Sequence, residues 1–149
     1  MESELKRIFD IAILKEQEAY DMYKKMSEHT KTIYLKELFM TLADEEVGHR
    51  EIFLQLNPSK IAIVNRDKLK DIVVDTTSKH LSSKDLKNIK DAITFAISQE
   101  QEAYDFYQKL LEQMEFSETK IFMEEIKLQE MRHRLSLEKA KRKLESGEE

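Results

Sequence analysis

The chain has 149 residues, enough for one domain with a substantial core, and with only 2 Gly and 1 Pro it favours long helices over a sheet that needs frequent turns. It contains no cysteine, which excludes disulfides, thiolate zinc sites, iron–sulfur clusters and rubredoxin-type iron, so any metal must be held by Glu, Asp and His. The formal charge of −5 is modest and falls near neutrality once four inward-facing carboxylates are set aside, so neither nucleic acid nor membrane is an expected partner.

The N-terminal residues Met1–Arg7 carry no long apolar run, and no segment approaches ~18 consecutive apolar residues. The expectation is a soluble cytoplasmic protein. Helical periodicity then predicts four long helices. The first, at about 3–28, sets Leu5, Ile8, Phe9, Ala12, Ile13, Glu16, Ala19, Tyr20, Tyr23 and Met26 on one face. A polar break at Ser27–Thr30 separates it from the second, at about 31–56, with Leu35, Leu38, Phe39, Leu42, Glu46, His49, Phe53 and Leu56 on its stripe. Asn57-Pro58 closes this pair.

Residues 57–81 have no counterpart elsewhere, and Ile61, Ile63, Val64, Leu69, Ile72, Val73 and Val74 make them too apolar for a solvated linker. In a duplicated bundle the second and third helices run parallel, so this crossover must travel the bundle's length. A helix of ~26 residues is ~39 Å long, and ~25 extended residues reach ~80 Å, which leaves room for a short helix near Arg66–Asp75. The same length permits exchange of helix pairs between two chains.

The third helix is expected to begin at Ser82 or Ser83, with Asp85 completing a start like a capping box, and to run through Leu86, Ile89, Ile93, Ala96, Ile97, Glu100, Ala103, Tyr104, Tyr107 and Leu110 or Leu111. Ser117 is the expected N-cap of the fourth, whose stripe is Phe122, Met123, Ile126, Glu130, His133, Leu137 and Ala140. The tail Ser146–Glu149 is expected to fray.

The first and third helices share a repeat. Glu16-Gln17-Glu18-Ala19-Tyr20-Asp21-Met22-Tyr23 returns 84 residues later, with one change, as Glu100-Gln101-Glu102-Ala103-Tyr104-Asp105-Phe106-Tyr107. At the same offset of 84, Glu46-Val47-Gly48-His49 becomes Glu130-Met131-Arg132-His133. The chain is thus a duplication of helix pairs 3–56 and 82–143, joined by 57–81 into one domain over 1–149.

Within each Glu-x-x-His pair the two side chains lie about 60° apart on one helix face. All six of Glu16, Glu46, His49, Glu100, Glu130 and His133 fall within apolar stripes. Ionised carboxylates there would cost several kcal/mol apiece without compensation. Two divalent cations would neutralise them, each receiving one imidazole nitrogen and a share of the carboxylates while keeping open positions. Iron, manganese or zinc suits this donor set.

Tyr23 and Tyr107 each follow their Glu by seven residues, which brings each within ~20° of that Glu's face. They either fill the core or donate a hydrogen bond to a ligand carboxylate; the second role is preferred. Tyr20 and Tyr104 are read as packing residues. Gly48, opposite Arg132 in the repeat, serves either close helix packing or unequal access to the metals. His29 and His80, together with Glu18, Glu45, Glu102 and the Arg residues beside the two ligand histidines, are read as solvated.

These residues resemble the rubrerythrin-like branch of the ferritin-like di-iron superfamily, over roughly 3–56 and 82–143. The resemblance implies an all-α, ferritin-like antiparallel four-helix bundle with a long crossover and a homodimeric assembly. It carries Glu16, Glu46, His49, Glu100, Glu130 and His133 over as ligands of two iron ions, with Tyr23 and Tyr107 as their hydrogen-bonding partners. It also implies reaction with hydrogen peroxide or O₂ in defence against oxidative stress.

Two departures qualify it. Rubrerythrins proper add a carboxylate three residues after the third-helix ligand, where this chain has Ala103, matched by Ala19 in the first half. They also carry a four-cysteine iron that relays electrons, so this cysteine-free chain would need an external donor such as a rubredoxin. The expected function is a di-iron peroxide reductase or ferroxidase. The alternatives are a non-catalytic iron-binding or storage protein with the same site, and a purely structural bundle.

Overall fold

The computed structural model describes residues 3–73 and 79–147. Four long helices dominate: α1 (Glu4–His29), α2 (Ile33–Gln55), α5 (Ile89–Glu112) and α6 (Glu118–Glu145). Two short ones, α3 (Leu69–Val73) and α4 (Ser83–Lys87), lie in the crossover and at its end. Side-chain caps start α1 and α6. Ser3 Oγ accepts from the Lys6 N–H at 3.1 Å, and Ser117 Oγ from that of Lys120 at 3.1 Å, supplying partners for amides that the helix itself leaves unpaired.

The expected third helix is broken. Ser82 does cap a start, accepting from the Asp85 N–H at 3.0 Å, but that helix is only α4. Asn88 then adopts an extended conformation and its side-chain oxygen accepts from the Lys90 N–H at 3.1 Å, starting α5 afresh. An Asn side chain that competes for backbone amides explains both the stop and the restart.

The core divides into two apolar clusters. One joins the start of α1 (Leu5, Ile8, Phe9) to Phe53 on α2, Leu110 on α5 and Met123 and Ile126 on α6. The other joins Met26 on α1 to Leu35 and Phe39 on α2, Ile93 on α5 and Leu137 on α6. The end of α2 therefore shares a cluster with the end of α5, so these two helices run parallel, as the duplication requires. Phe122 departs from expectation at 57% exposed. It precedes Glu130 by eight residues, which turns it about 80° off the inward direction, whereas Met123 lies within about 20° and takes the core place.

The crossover starts on the first cluster, where Ile61, Leu69 and Ile72 are buried. Extended residues pin it to the α5–α6 connection: Ile63 bridges Met114, the Val64 N–H donates to Gln113 O at 2.7 Å, and the Glu115 N–H to Ala62 O at 3.0 Å. The short helix expected near Arg66–Asp75 is found as a 3₁₀ turn at Arg66–Lys68 running into α3. Val74 and Asp75 lie outside the described residues, as do Glu148 and Glu149 of the tail expected to fray. Among the described residues, no helix is long and apolar enough to cross a membrane.

Candidate metal centre

Between the two apolar clusters lies a polar layer. Glu16, Glu46, His49, Glu100, Glu130 and His133 are each at most 3% exposed. Each sits on an apolar stripe at a position where a hydrophobic residue would otherwise continue the core, so forming the helices delivers all six to one level. Their donor atoms form two overlapping groups, Glu16–Glu46–His49–Glu130 and Glu46–Glu100–Glu130–His133, with the atoms of each group within 4.8 Å of one another. Glu46 and Glu130 belong to both groups. Glu16 and His49 belong to one only, and Glu100 and His133 to the other.

Both imidazoles turn Nδ1 inward. His49 Nδ1 lies 3.1 Å from Glu130 Oε1 and 3.5 Å from Glu16 Oε2. His133 Nδ1 lies 2.8 Å from Glu46 Oε1 and 3.4 Å from Glu100 Oε1. Yet both Nδ1 atoms, both Glu46 oxygens, Glu16 Oε2, Glu100 Oε2 and Glu130 Oε1 are buried without a hydrogen bond, because the contacts are close but misdirected. Lone pairs converging on shared space without a donor are the arrangement that cations satisfy, so these residues fit a two-metal group.

The outward nitrogens fix the tautomer. His49 Nε2–H donates to Gln129 Oε1 at 2.6 Å, and His133 Nε2–H donates to the Glu45 carboxylate. With Nε2 protonated, Nδ1 keeps its lone pair for a metal. Glu45 is exposed, as expected of a solvated residue, but its carboxylate also reaches the His133 ring, which was not expected. Glu45 and Gln129 are equivalent in the repeat and immediately precede Glu46 and Glu130, but each reaches the histidine of the opposite helix pair. Local sequence carries no signal for that crossing.

The tyrosines cross too. Tyr107 Oη donates to Glu16 Oε1 at 2.5 Å, and Tyr23 Oη donates to Glu100. Burial, reinforced by the charge of the carboxylate each one serves, pushes both phenols well above their usual range and keeps them protonated donors. Tyr107 also stacks on Phe53, with ring centroids 5.6 Å apart, which locks its direction.

On their own, Glu16, Glu46, Glu130 and the two histidines share protons. Burial, then the neighbouring carboxylates, raises Glu46 and Glu130 well above the usual carboxyl range. Burial pushes Glu16 up, but the close approach of Glu46 and of the charged His49, together with the Tyr107 hydrogen bond, outweighs it, so Glu16 moves down. For the histidines, burial alone would lower the pKa. Glu130 and Glu16 instead lift His49 to about 11, and Glu100 and Glu45 lift His133 to about 10.

Further out, Arg50 Nη1 donates to Gln17 and Arg134 Nη1 to Gln101, the same bond in both halves, so these arginines tie helix to helix rather than standing in solvent. Glu102 accepts from Lys79 Nζ at 2.5 Å. A Cβ added at Gly48 would meet nothing within 4 Å, so close helix packing does not explain this glycine. His29 and His80 are exposed, and His29 Nδ1 lies 2.8 Å from Lys25 O.

The rubrerythrin family model matches residues 7–141. The chain belongs to the rubrerythrin family. A crystal structure from Thermotoga maritima, described as a candidate ferritin-like diiron-carboxylate protein, superposes with a TM-score of 0.68 at 26% identity, covering 91% of this chain and 92% of that one. No curated protein sequence matches the chain significantly. The fold is accordingly a ferritin-like all-α bundle, and this rubrerythrin-family chain carries a carboxylate–histidine site of the composition a di-metal centre needs.

Proposed function

We propose that this rubrerythrin-family chain is a non-haem di-iron redox protein that reduces peroxide or O₂ with electrons from a separate donor. The overlap of the two donor groups at Glu46 and Glu130 carries this reading, since shared carboxylates hold two cations close enough to act together. In it Glu46 and Glu130 would be shared by both cations, Glu16 and His49 would hold one, and Glu100 and His133 the other. Bound iron would supply one-electron redox chemistry and an electrophile for an O–O bond.

The chain's own residues do the rest. The glutamates supply negative charge that balances two divalent cations. Tyr23 and Tyr107 hold the terminal carboxylates by hydrogen bonds, and Glu45 and Gln129 hold the imidazoles in the binding tautomer. The apolar clusters close off the site above and below.

With no cysteine in its 149 residues, the chain cannot hold a rubredoxin-type iron, so the same reading assigns electron delivery to another protein such as a rubredoxin. It also includes a cytoplasmic setting and a homodimer. A cavity reaches the carboxylates and gives a peroxide a route to them, as turnover requires.

Metal analysis of protein from its native host, followed by anaerobic mixing of the reduced form with peroxide, tests the proposal. About two iron ions per chain and repeated turnover with a reductant are expected. Iron that binds without turnover would leave a storage protein. Protein that takes up no metal, and gains no thermal stability from added Fe²⁺, would sink the metal reading.

A further inference from the structure

A cavity of about 260 Å³ opens onto the carboxylate layer from between α1 and α5. Its floor is formed by the four inward glutamates and its wall by Ala19, Met22, Phe95 and Ala103. At a water's share of ~30 Å³, two ions with their bridging and terminal oxygens would take roughly a third of it. What remains is far larger than hydrogen peroxide or O₂ requires, and approaches the lower end of small-molecule sites at about 300 Å³.

The wall chemistry narrows the occupant. Alanine, methionine and phenylalanine side chains favour hydrocarbon over water. The rim carries both signs, Lys15 and Lys25 beside Glu18 and Asp21, so it selects no net charge. Ala19 and Ala103 stand one helical turn beyond Glu16 and Glu100, and their small size leaves room directly beside the two terminal carboxylates.

Resting on the redox reading above, we propose that the substrate is an organic hydroperoxide, with a small alkyl or aryl group seated against Ala19, Met22, Phe95 and Ala103 and the –OOH group on the carboxylate layer. The reaction is ROOH + 2e⁻ + 2H⁺ → ROH + H₂O. The O–O bond breaks, two O–H bonds form, and the external donor supplies both electrons. The apolar wall binds the organic group, and the remaining hydroxyl leaves as water.

The test pairs a binding measurement with a kinetic one. The probe is 2-phenylpropan-2-ol, the alcohol formed from cumene hydroperoxide, titrated by NMR into zinc-loaded protein, which cannot turn over. Saturable binding with shifts at Phe95 and Ala103 is expected, weakened at least about tenfold in Ala103→Leu, whose added bulk fills the space. In iron-loaded protein with a chemical reductant, the same substitution should lower kcat/KM for cumene hydroperoxide relative to hydrogen peroxide by about tenfold or more.

Phe95→Ala removes wall rather than adding bulk; it should also weaken the alcohol, and it keeps the test open if Ala103→Leu does not fold. Absence of alcohol binding, or an unchanged ratio in both variants, overturns the proposal. Metal uptake and hydrogen peroxide reduction without alcohol binding would overturn it alone. Failure to bind metal would overturn the redox reading and this substrate together.

Discussion

The two helix pairs set the same set of three ligands, two Glu and one His each, in different surroundings. Inward, the halves are interchangeable: Tyr107 serves Glu16 as Tyr23 serves Glu100, and Gln17–Arg50 is repeated as Gln101–Arg134. One shell outward they part. His133 donates to a carboxylate, Glu45, while His49 donates to a neutral amide, Gln129. A carboxylate puts negative charge behind the His133 ring that the Gln129 amide does not put behind His49, so the two positions differ in what orients their imidazoles despite matching ligand sets. The repeat is identical at the Glu and His residues that face the site and differs at the partners of its histidines.

The harshest way to break the comparison is to remove a shared ligand. Glu130→Ala should abolish the paired site, because Glu130 belongs to both donor groups, whereas Glu16→Ala should first empty the position completed by His49. Metal stoichiometry by elemental analysis distinguishes them. Two ions retained at unchanged affinity in Glu130→Ala would show that the assignment of shared ligands is wrong.

Raising pH acts on both halves together. His49 and His133 are held at about 11 and about 10 against an ordinary 6.5. Their contribution to the stability of metal-free protein is therefore full below about 6.5 and is lost as pH climbs toward 10 and 11. The raised Glu46 and Glu130 carry the same sign. Metal-free Tm should fall with rising pH over this range. Stabilisation by added metal should grow, because binding must displace those protons. A metal-free Tm that rose toward pH 10 would contradict the proton sharing.

Glu45→Gln sharpens the inequality by making the outer shells alike. Stepwise calorimetric titration should show the His133 position weakened by about 10–100-fold, with two binding steps drawing together. Gln129→Glu should strengthen the His49 position. Equal, unmoved steps in both variants would mean that the outer partners do not tune the metals.

The phenols test the symmetric part. Tyr23→Phe and Tyr107→Phe should each keep metal and lose about 1–3 kcal/mol of stability in urea denaturation, the range for a buried hydrogen bond to a charged acceptor. A large difference between the two would break the inward equivalence. Smallest is Gly48→Ala, which meets open space and should stabilise α2 by about 0.5–1 kcal/mol, with metal binding unchanged.

The sequence by itself determined the helices, the parallel run of α2 and α5, and the level at which six ligands meet. These follow from periodicity, since 3.6 residues per turn decides which side chains share a face before any neighbour is known. The same reasoning failed where a local competitor intervened, since Asn88 broke a helix whose stripe continued through it. Phe122 differs: its spacing from Glu130 already turns it away from the stripe on which it was expected, and it is exposed.

Tertiary structure alone decided the pairing across halves. Tyr107 to Glu16, Glu45 to His133 and Gln129 to His49 join residues 91, 88 and 80 positions apart on different helices. A helical repeat fixes direction, but the rotation and height of one helix against another come from packing the whole bundle. The 84-residue repeat therefore specifies the cage of carboxylates and imidazoles, while the packing of four helices decides which partner tunes each ligand and where the cavity opens.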